Sequence, residues 1–183
     1  MINRKALLAS IRHNSMSTTP GDAAMLRILI ETSRARRGVE IGVFSGYGAI
    51  NMGLGFERTG GRLFSIESDP ERAAEAERNV RKARLSKTVS VIEGDALEVL
   101  PAMKGRFDFV FIDAIKRDYL KYLKAIEPKL KAGAVVVADN VIRYAAEMPD
   151  FLRYIQTSSK YDTVLIRASM EKGDGMTVSC KVV

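Results

Sequence analysis

Short apolar runs alternate with amphipathic stretches along this chain. The runs 38–41, 62–67, 89–93, 107–112 and 134–138 read as strands. The stretches 49–57, 70–85, 96–103 and 119–130 between them read as helices. Upstream, Pro20 suits the first turn of a helix to about residue 35, with Met25, Leu26, Leu29 and Ile30 on its apolar face. Asp69-Pro70 is a helix start, Asp as N-cap and Pro in the first turn. Strands alternating with helices imply βαβ units with right-handed crossovers and a parallel sheet. The tail changes character: 163–166 and 176–182 flank Gly173-Asp174-Gly175, a hairpin that adds an antiparallel edge. Without internal repeat or low-complexity linker, residues 1–183 read as a single domain that includes an N-terminal helical segment, 1–37.

Composition narrows the class without naming a function. The 183 residues are 46% hydrophobic and 28% charged, as in an ordinary globular protein. No apolar run approaches the ~20 residues of a membrane helix, and the N-terminal stretch lacks a signal-peptide core, so a cytoplasmic location with no membrane partner is expected. One cysteine, Cys180, and one histidine, His13, leave no internal disulfide and no zinc cluster. The net charge of +7 is uneven: residues 1–37 carry seven Lys/Arg against Asp22 and Glu31, a net +5. Such a segment suits phosphate-rich partners, nucleic acid included, although a solvated basic face is the commoner explanation.

The most informative stretch is Val39-Glu-Ile-Gly-Val-Phe-Ser-Gly-Tyr-Gly48. A strand carrying an acid runs into a glycine-rich turn before a helix. Glycine removes the Cβ that would hold a ligand away from the backbone. A second acid, Glu67, closes the next strand, where a doubly wound fold presents a carboxylate to ribose hydroxyls. A dinucleotide fingerprint is Gly-x-Gly-x-x-Gly. Here Glu40 precedes Gly42, Gly46 and Gly48, and this order resembles the first motif of class I S-adenosylmethionine-dependent methyltransferases. The resemblance implies a Rossmann-like α/β fold, doubly wound, with a mostly parallel seven-stranded sheet and a C-terminal antiparallel hairpin.

A second constellation follows. The run 107–112 leads to Asp113-Ala-Ile-Lys116, and 134–138 leads to Asp139-Asn140. Open α/β sheets hold ligands at such strand ends. Asp, Asp and Asn offer hard oxygens suited to Mg²⁺, and Lys116 stands close enough to take a proton from a hydroxyl held there. Taken singly, Asp113 reads as a helix N-cap and Asp139-Asn140 as a polar turn. Two such ends behind a cofactor motif favour the metal reading.

With both constellations in place, residues 16 to 181 resemble the metal-dependent catechol/caffeoyl-CoA type O-methyltransferases, nearer the catechol branch. The run Asp139-Asn-Val-Ile142, then Pro149-Asp-Phe-Leu152 and Ser158-Ser159, carries the catechol likeness. The resemblance implies that Glu40 contacts the methionine end of the cofactor, Glu67 the ribose hydroxyls, and Gly94-Asp95-Ala96 the adenine. It completes the cofactor set with Thr18, Gly42, Ser45, Gly46, Tyr47, Gly48, Ser68 and Asp113. Asp113, Asp139 and Asn140 fall on the metal ligands and Lys116 on the catalytic lysine. Ile115, Lys116, Asn140, Tyr144 and Glu171 fall on the substrate side. Departures are visible. Gly48 replaces a serine that many relatives use toward the cofactor carboxylate, Ile115 stands where plant relatives have Asp and animal catechol enzymes have Trp, and Asn14 and Tyr144 fall where catechol enzymes place their hydrophobic walls, so the ring clamp is not reproduced.

The leading expectation is methyl transfer from S-adenosylmethionine to one hydroxyl of a vicinal-diol aromatic small molecule, with a divalent cation, Mg²⁺, and a homodimeric assembly. The alternative is a tRNA hydroxyuridine O-methyltransferase of the same family, which the basic N-terminal segment suits but which lacks an aromatic-interleaved basic patch. A non-catalytic cofactor-binding scaffold is a distant third, because a binding module needs none of Asp113, Lys116, Asp139 and Asn140.

Overall fold

The structure, a computed structural model, describes residues 4–11, 18–168 and 172–183. Its frame is a seven-stranded sheet, β1 Arg37–Ile41, β2 Arg62–Glu67, β3 Val89–Glu93, β4 Phe107–Ile112, β5 Leu130–Ala138, β6 Tyr161–Ile166 and β7 Met176–Lys181. The spatial order is β3-β2-β1-β4-β5-β7-β6. The first five strands pair in parallel, and β7 enters antiparallel between β5 and β6. The expected doubly wound sheet with an antiparallel C-terminal edge is therefore present. Chain order reverses between β1 and β4, the switch point where such sheets open a crevice.

Helices cover both faces. One layer is α1 Arg4–Ser10, α2 Pro20–Ser33, α3 Tyr47–Thr59 and α4 Pro70–Lys82; the other is α5 Ala96–Ala102, α6 Tyr119–Ile126 and α7 Pro149–Thr157. Leu26, Ile30, Ile50, Met52 and Phe56 pack on the first sheet face, and Tyr119, Leu123, Ile126, Phe151 and Ile155 on the second. The β4 strand is fully covered on both sides, which its run Phe-Asp-Phe-Val-Phe-Ile foreshadows. Thr19 caps α2 by accepting from the Asp22 amide, and Asp69 caps α4 by accepting from Glu71 and Arg72.

Some boundaries differ from the sequence pattern for identifiable reasons. The helix expected over 119–130 ends at Ile126, because Pro128 turns the chain into a 3₁₀ segment, Glu127–Lys129, that feeds straight into β5. The helix expected to 85 stops at Lys82, and Arg84 takes a left-handed conformation (φ 56). Helix α7 is absent from the pattern read above, although Pro149 at its first turn and Phe151 and Ile155 four apart on its buried face announce it. Gly173-Asp174-Gly175 is not a tight turn by itself. It ends a longer connection from β6 to β7, and Asp174 is buried within it.

The same ladder logic sets the functional edge. Just beyond four of the five parallel strands, the next residue makes one more backbone bond to its neighbour: Gly42 to Ile66, Gly94 to Glu67, Asp113 to Ile41 and Asp139 to Ile112, at 2.9–3.0 Å. These loop starts therefore stand in one row at the carboxyl edge. Gly42 is locked there: φ is +88, and a Cβ would lie 2.1 Å from the Asp113 carbonyl oxygen. Gly42→Ala should lower the unfolding free energy by about 3 kcal/mol or more, from left-handed strain plus backbone overlap, measured by urea denaturation. Parental stability in that variant would show that the two loops can part without cost.

Candidate active site

An open cleft of about 1140 Å³ runs along this row. Of the residues expected from sequence, Thr18, Gly42, Ser45, Tyr47, Gly48, Glu67, Ser68, Gly94, Asp95, Ala96, Asp113, Ile115, Lys116, Asn140 and Tyr144 line it. Glu40, Gly46 and Asp139 are set back beneath its floor, the two acids only 1% and 2% exposed. Glu171 and Asn14 lie outside the described residues.

Glu67 organises the left side of the cleft. Its Oε2 accepts from the backbone amides of Val43 (3.0 Å) and Phe44 (2.9 Å), and its Oε1 accepts from the Asp69 amide (3.1 Å). Phe44 itself has φ 52, so the loop after β1 is held in a turn whose amides converge on one carboxylate. A carboxylate has about four acceptor sites, so three amides leave Oε1 room for roughly one further donor. Asp95, expected beside the adenine, also caps α5 by accepting from the Leu97 amide at 2.8 Å.

The glycines also serve the protein's own packing. Gly46 (φ +85) is required because a Cβ there would press on Ala76 of α4 at 3.1 Å, just as Gly42 makes room for Asp113. Both admit the protein's own backbone before any ligand is considered. Gly48 is the one that shapes the floor, since a Cβ on it would fall 2.9 Å from Glu40 Oε1 and 3.1 Å from Thr18 Oγ1. Glycine at this position thus leaves room for the Glu40 carboxylate and the Thr18 hydroxyl.

On the right side, Lys116 Nζ donates to Asp113 Oδ1 (2.9 Å), Asn140 Oδ1 (2.7 Å) and the Tyr119 hydroxyl (2.7 Å). Tyr119, which sequence reasoning treated only as a helix start, is fully buried against Phe151, and its hydroxyl donates a hydrogen bond to the Asp139 carbonyl at 3.1 Å. Asp174 was likewise missed. It accepts from Asn140 Nδ2 and from the amides of Ile142, Arg143 and Gly175, fixing Asn140 in its left-handed conformation (φ 61). The Gly-Asp-Gly segment was the available signal. Burial works to raise the Asp174 carboxyl, but those amides outweigh it and leave it below the usual range.

Two acids are poised for something the polypeptide does not supply. Burial raises Glu40 to about 8, helped by the charges of Asp113 and Glu67, and its Oε2 has no hydrogen-bond partner. Burial, with the Asp113 charge next, raises Asp139 to about 7; its Oδ2 has no hydrogen-bond partner, and Lys172 Nζ stands off at 3.8 Å. The donor chemistry fits a hard cation: two carboxylates and an amide oxygen, two of them already holding an ammonium. Among the described residues no group of three or more His, Cys, Asp or Glu could do so.

Comparisons with known proteins give the family. A family model described as O-methyltransferase matches residues 3–181. The chain belongs to the O-methyltransferase family. It is 34% identical over 140 residues to a catechol O-methyltransferase from Niastella koreensis, a match spanning 74% of this chain but only 63% of that protein. It is 25% identical over 189 residues to a caffeoyl-CoA O-methyltransferase from Zinnia elegans, covering 92% of this chain and 77% of that one. A cofactor-bound crystal structure from MTB, Rv0187, superposes with a TM-score of 0.86 at 27% identity, covering 97% of this chain and 87% of that one. For this O-methyltransferase family member, no described helix is long and apolar enough to cross a membrane.

The raised acids give the family member a pH signature. An acid whose folded value exceeds its unfolded one is stabilising only while protonated. Stability of the ligand-free protein should be greatest below about pH 4.5 as far as Glu40 is concerned, fall as pH rises toward its value of about 8, and level above it. Asp139, raised to about 7, acts in the same direction. Denaturation midpoints from pH 5 to pH 9, compared with those of Glu40→Gln, measure this: the variant should show a shallower decline. Equal slopes would mean that Glu40 is charged in the ligand-free fold.

Proposed function

We propose that this protein is a divalent-cation-dependent O-methyltransferase that moves the methyl of S-adenosylmethionine to one hydroxyl of a vicinal-diol aromatic. The observation that carries the reading is the single cleft in which the amide-clamped Glu67 and the Lys116–Asp113–Asn140 cluster lie together. When bound, the cofactor would supply the electrophilic methyl, and Mg²⁺ held by Asp113, Asp139 and Asn140 would supply charge that makes the acceptor hydroxyl more acidic.

The protein's own groups do the remaining work. Glu67 Oε1 accepts a ribose hydroxyl with the one site its amides leave free. Glu40 takes the cofactor's α-ammonium, which converts a neutral buried acid into half of an ion pair. Asp113 and Asn140 can serve either the Lys116 ammonium or a bound cation. Lys116 would accept the hydroxyl proton at Nζ. Tyr119 holds Nζ at this place through a hydroxyl whose own proton is committed to the Asp139 carbonyl. Ile115, 51% exposed, and the half-buried Tyr144 offer apolar walls for a ring. Most of the rate would come from holding the two reactants in register, which can contribute roughly 7–11 kcal/mol.

A methyl-transfer assay on a catechol tests the reading. Chelator should abolish turnover while cofactor affinity persists, because the ion serves the acceptor. Lys116→Met should lower kcat by roughly 10²–10⁴ with the cofactor's Kd nearly unchanged, and Lys116→Arg should fail equally because guanidinium cannot act as a base. Full turnover in chelator would remove the cation from the reaction. An arginine variant with parental kcat would reduce Lys116 to a source of positive charge.

A further inference from the structure

The acceptor side of the cleft holds a cation that the reaction above does not use. Four basic residues line the cleft: Arg72, Lys116, Arg143 and Lys172. Three face acids: Arg72 faces Asp69 at 3.6 Å, Lys116 bonds Asp113 at 2.9 Å and Lys172 faces Asp139 at 3.8 Å. Among the described residues, Arg143 alone of the four has no carboxylate within ion-pairing distance; its guanidinium contact is the Tyr144 ring, 5.8 Å from its carbon to the ring centroid. Asp174 does not neutralise it, because that carboxylate is engaged by Asn140 and by the backbone amides of Ile142, Arg143 and Gly175. Asp118, also on the cleft wall, is paired with Lys121 at 2.7 Å.

The placement of this guanidinium is specific. Asp174 Oδ1 accepts from the Arg143 amide at 3.0 Å, so the backbone that carries the side chain is tied to the same buried carboxylate that orients Asn140. Lys116 Nζ lies 5.8 Å from the same Tyr144 centroid. The ammonium and the guanidinium therefore flank one aromatic ring and stand at most twice that distance apart. A benzene ring lying along Tyr144 could present hydroxyls at the Lys116 end and a substituent at the Arg143 end. A planar guanidinium with free donors matches a carboxylate in a bidentate fashion.

We propose that Arg143 reads a negative charge on the acceptor, so that the preferred substrates are anionic catechols: vicinal dihydroxy aromatics with a carboxylate on the ring side away from the hydroxyls. This rests on the acceptor chemistry proposed above and narrows it. A neutral catechol would leave Arg143 to solvent and gain nothing from it, whereas an acidic one forms a charge-assisted pair at the cleft rim.

The test compares 3,4-dihydroxybenzoate with 3,4-dihydroxybenzamide, two acceptors of similar shape that differ in charge. Initial rates are measured with S-adenosylmethionine and Mg²⁺ for the parent, Arg143→Gln and Arg143→Glu. The parent should favour the benzoate by about tenfold in kcat/KM, with the difference in KM. Arg143→Gln should bring the ratio near one, mainly by losing benzoate turnover, and Arg143→Glu should invert it. The ratio is internal to each variant, so a change in the folded fraction cannot produce it. Equal use of both acceptors by the parent, or a benzoate preference that survives in Arg143→Glu, would overturn the assignment while leaving catechol methylation intact. If the parent methylates neither compound, the acceptor reading itself falls, and the role of Arg143 with it.

Discussion

The carboxylate of Glu67, clamped by three backbone amides, is the contact on which the cofactor side of this molecule depends. It ties the end of β2 to the loop that follows β1 and to the start of α4. Leaving those amides buried and unpaired would cost roughly 1–3 kcal/mol each, so the turn and the acid define one another. The cleft that results is preformed, with its acceptor oxygen already aimed.

The rest of the cleft is organised on the opposite principle. There the protein concentrates groups that are unsatisfied or in competition: Glu40 and Asp139 are buried with an orphaned oxygen each, and Lys116 is shared among three oxygen acceptors. Such arrangements oppose folding and persist where a ligand completes them. Ligand binding to the native state alone then adds stability by mass action. The rigid outer ring, made by Tyr119 against Phe151 and by Asp174 under the loop after β5, keeps the poised groups from relaxing.

Much of this was legible in the chain. Buried parallel strands read as continuous apolar runs, and acids and glycines at their ends mark the carboxyl edge without any tertiary information. Glu40, Glu67, Asp113, Lys116 and the Asp139-Asn140 pair all fall at or beneath one cleft, as the strand ends imply. What escaped the sequence depends on through-space partners. Tyr119 looks like an ordinary first residue of an amphipathic helix until Lys116 folds back onto its hydroxyl. Asp174 looks like a turn residue until the hairpin brings it under Asn140. The packing role of Gly42 and Gly46 also escaped it, because the atoms they avoid, in Asp113 and Ala76, are remote in sequence. Pro128 was the one local signal that decided a boundary, ending α6 early.

The central claim is that the Glu67 cradle is a site for the nucleoside part of S-adenosylmethionine. Calorimetric titration of S-adenosylmethionine into the protein and into Glu67→Gln measures it directly. Glutamine keeps an oxygen for the Val43 and Phe44 amides, so the loop is retained while the charge toward the ribose is lost. One cofactor should bind per chain, and the substitution should weaken binding by about tenfold or more, the scale of one charge-assisted hydrogen bond. Equal affinity in the two proteins, or no binding to the parent, would contradict the account.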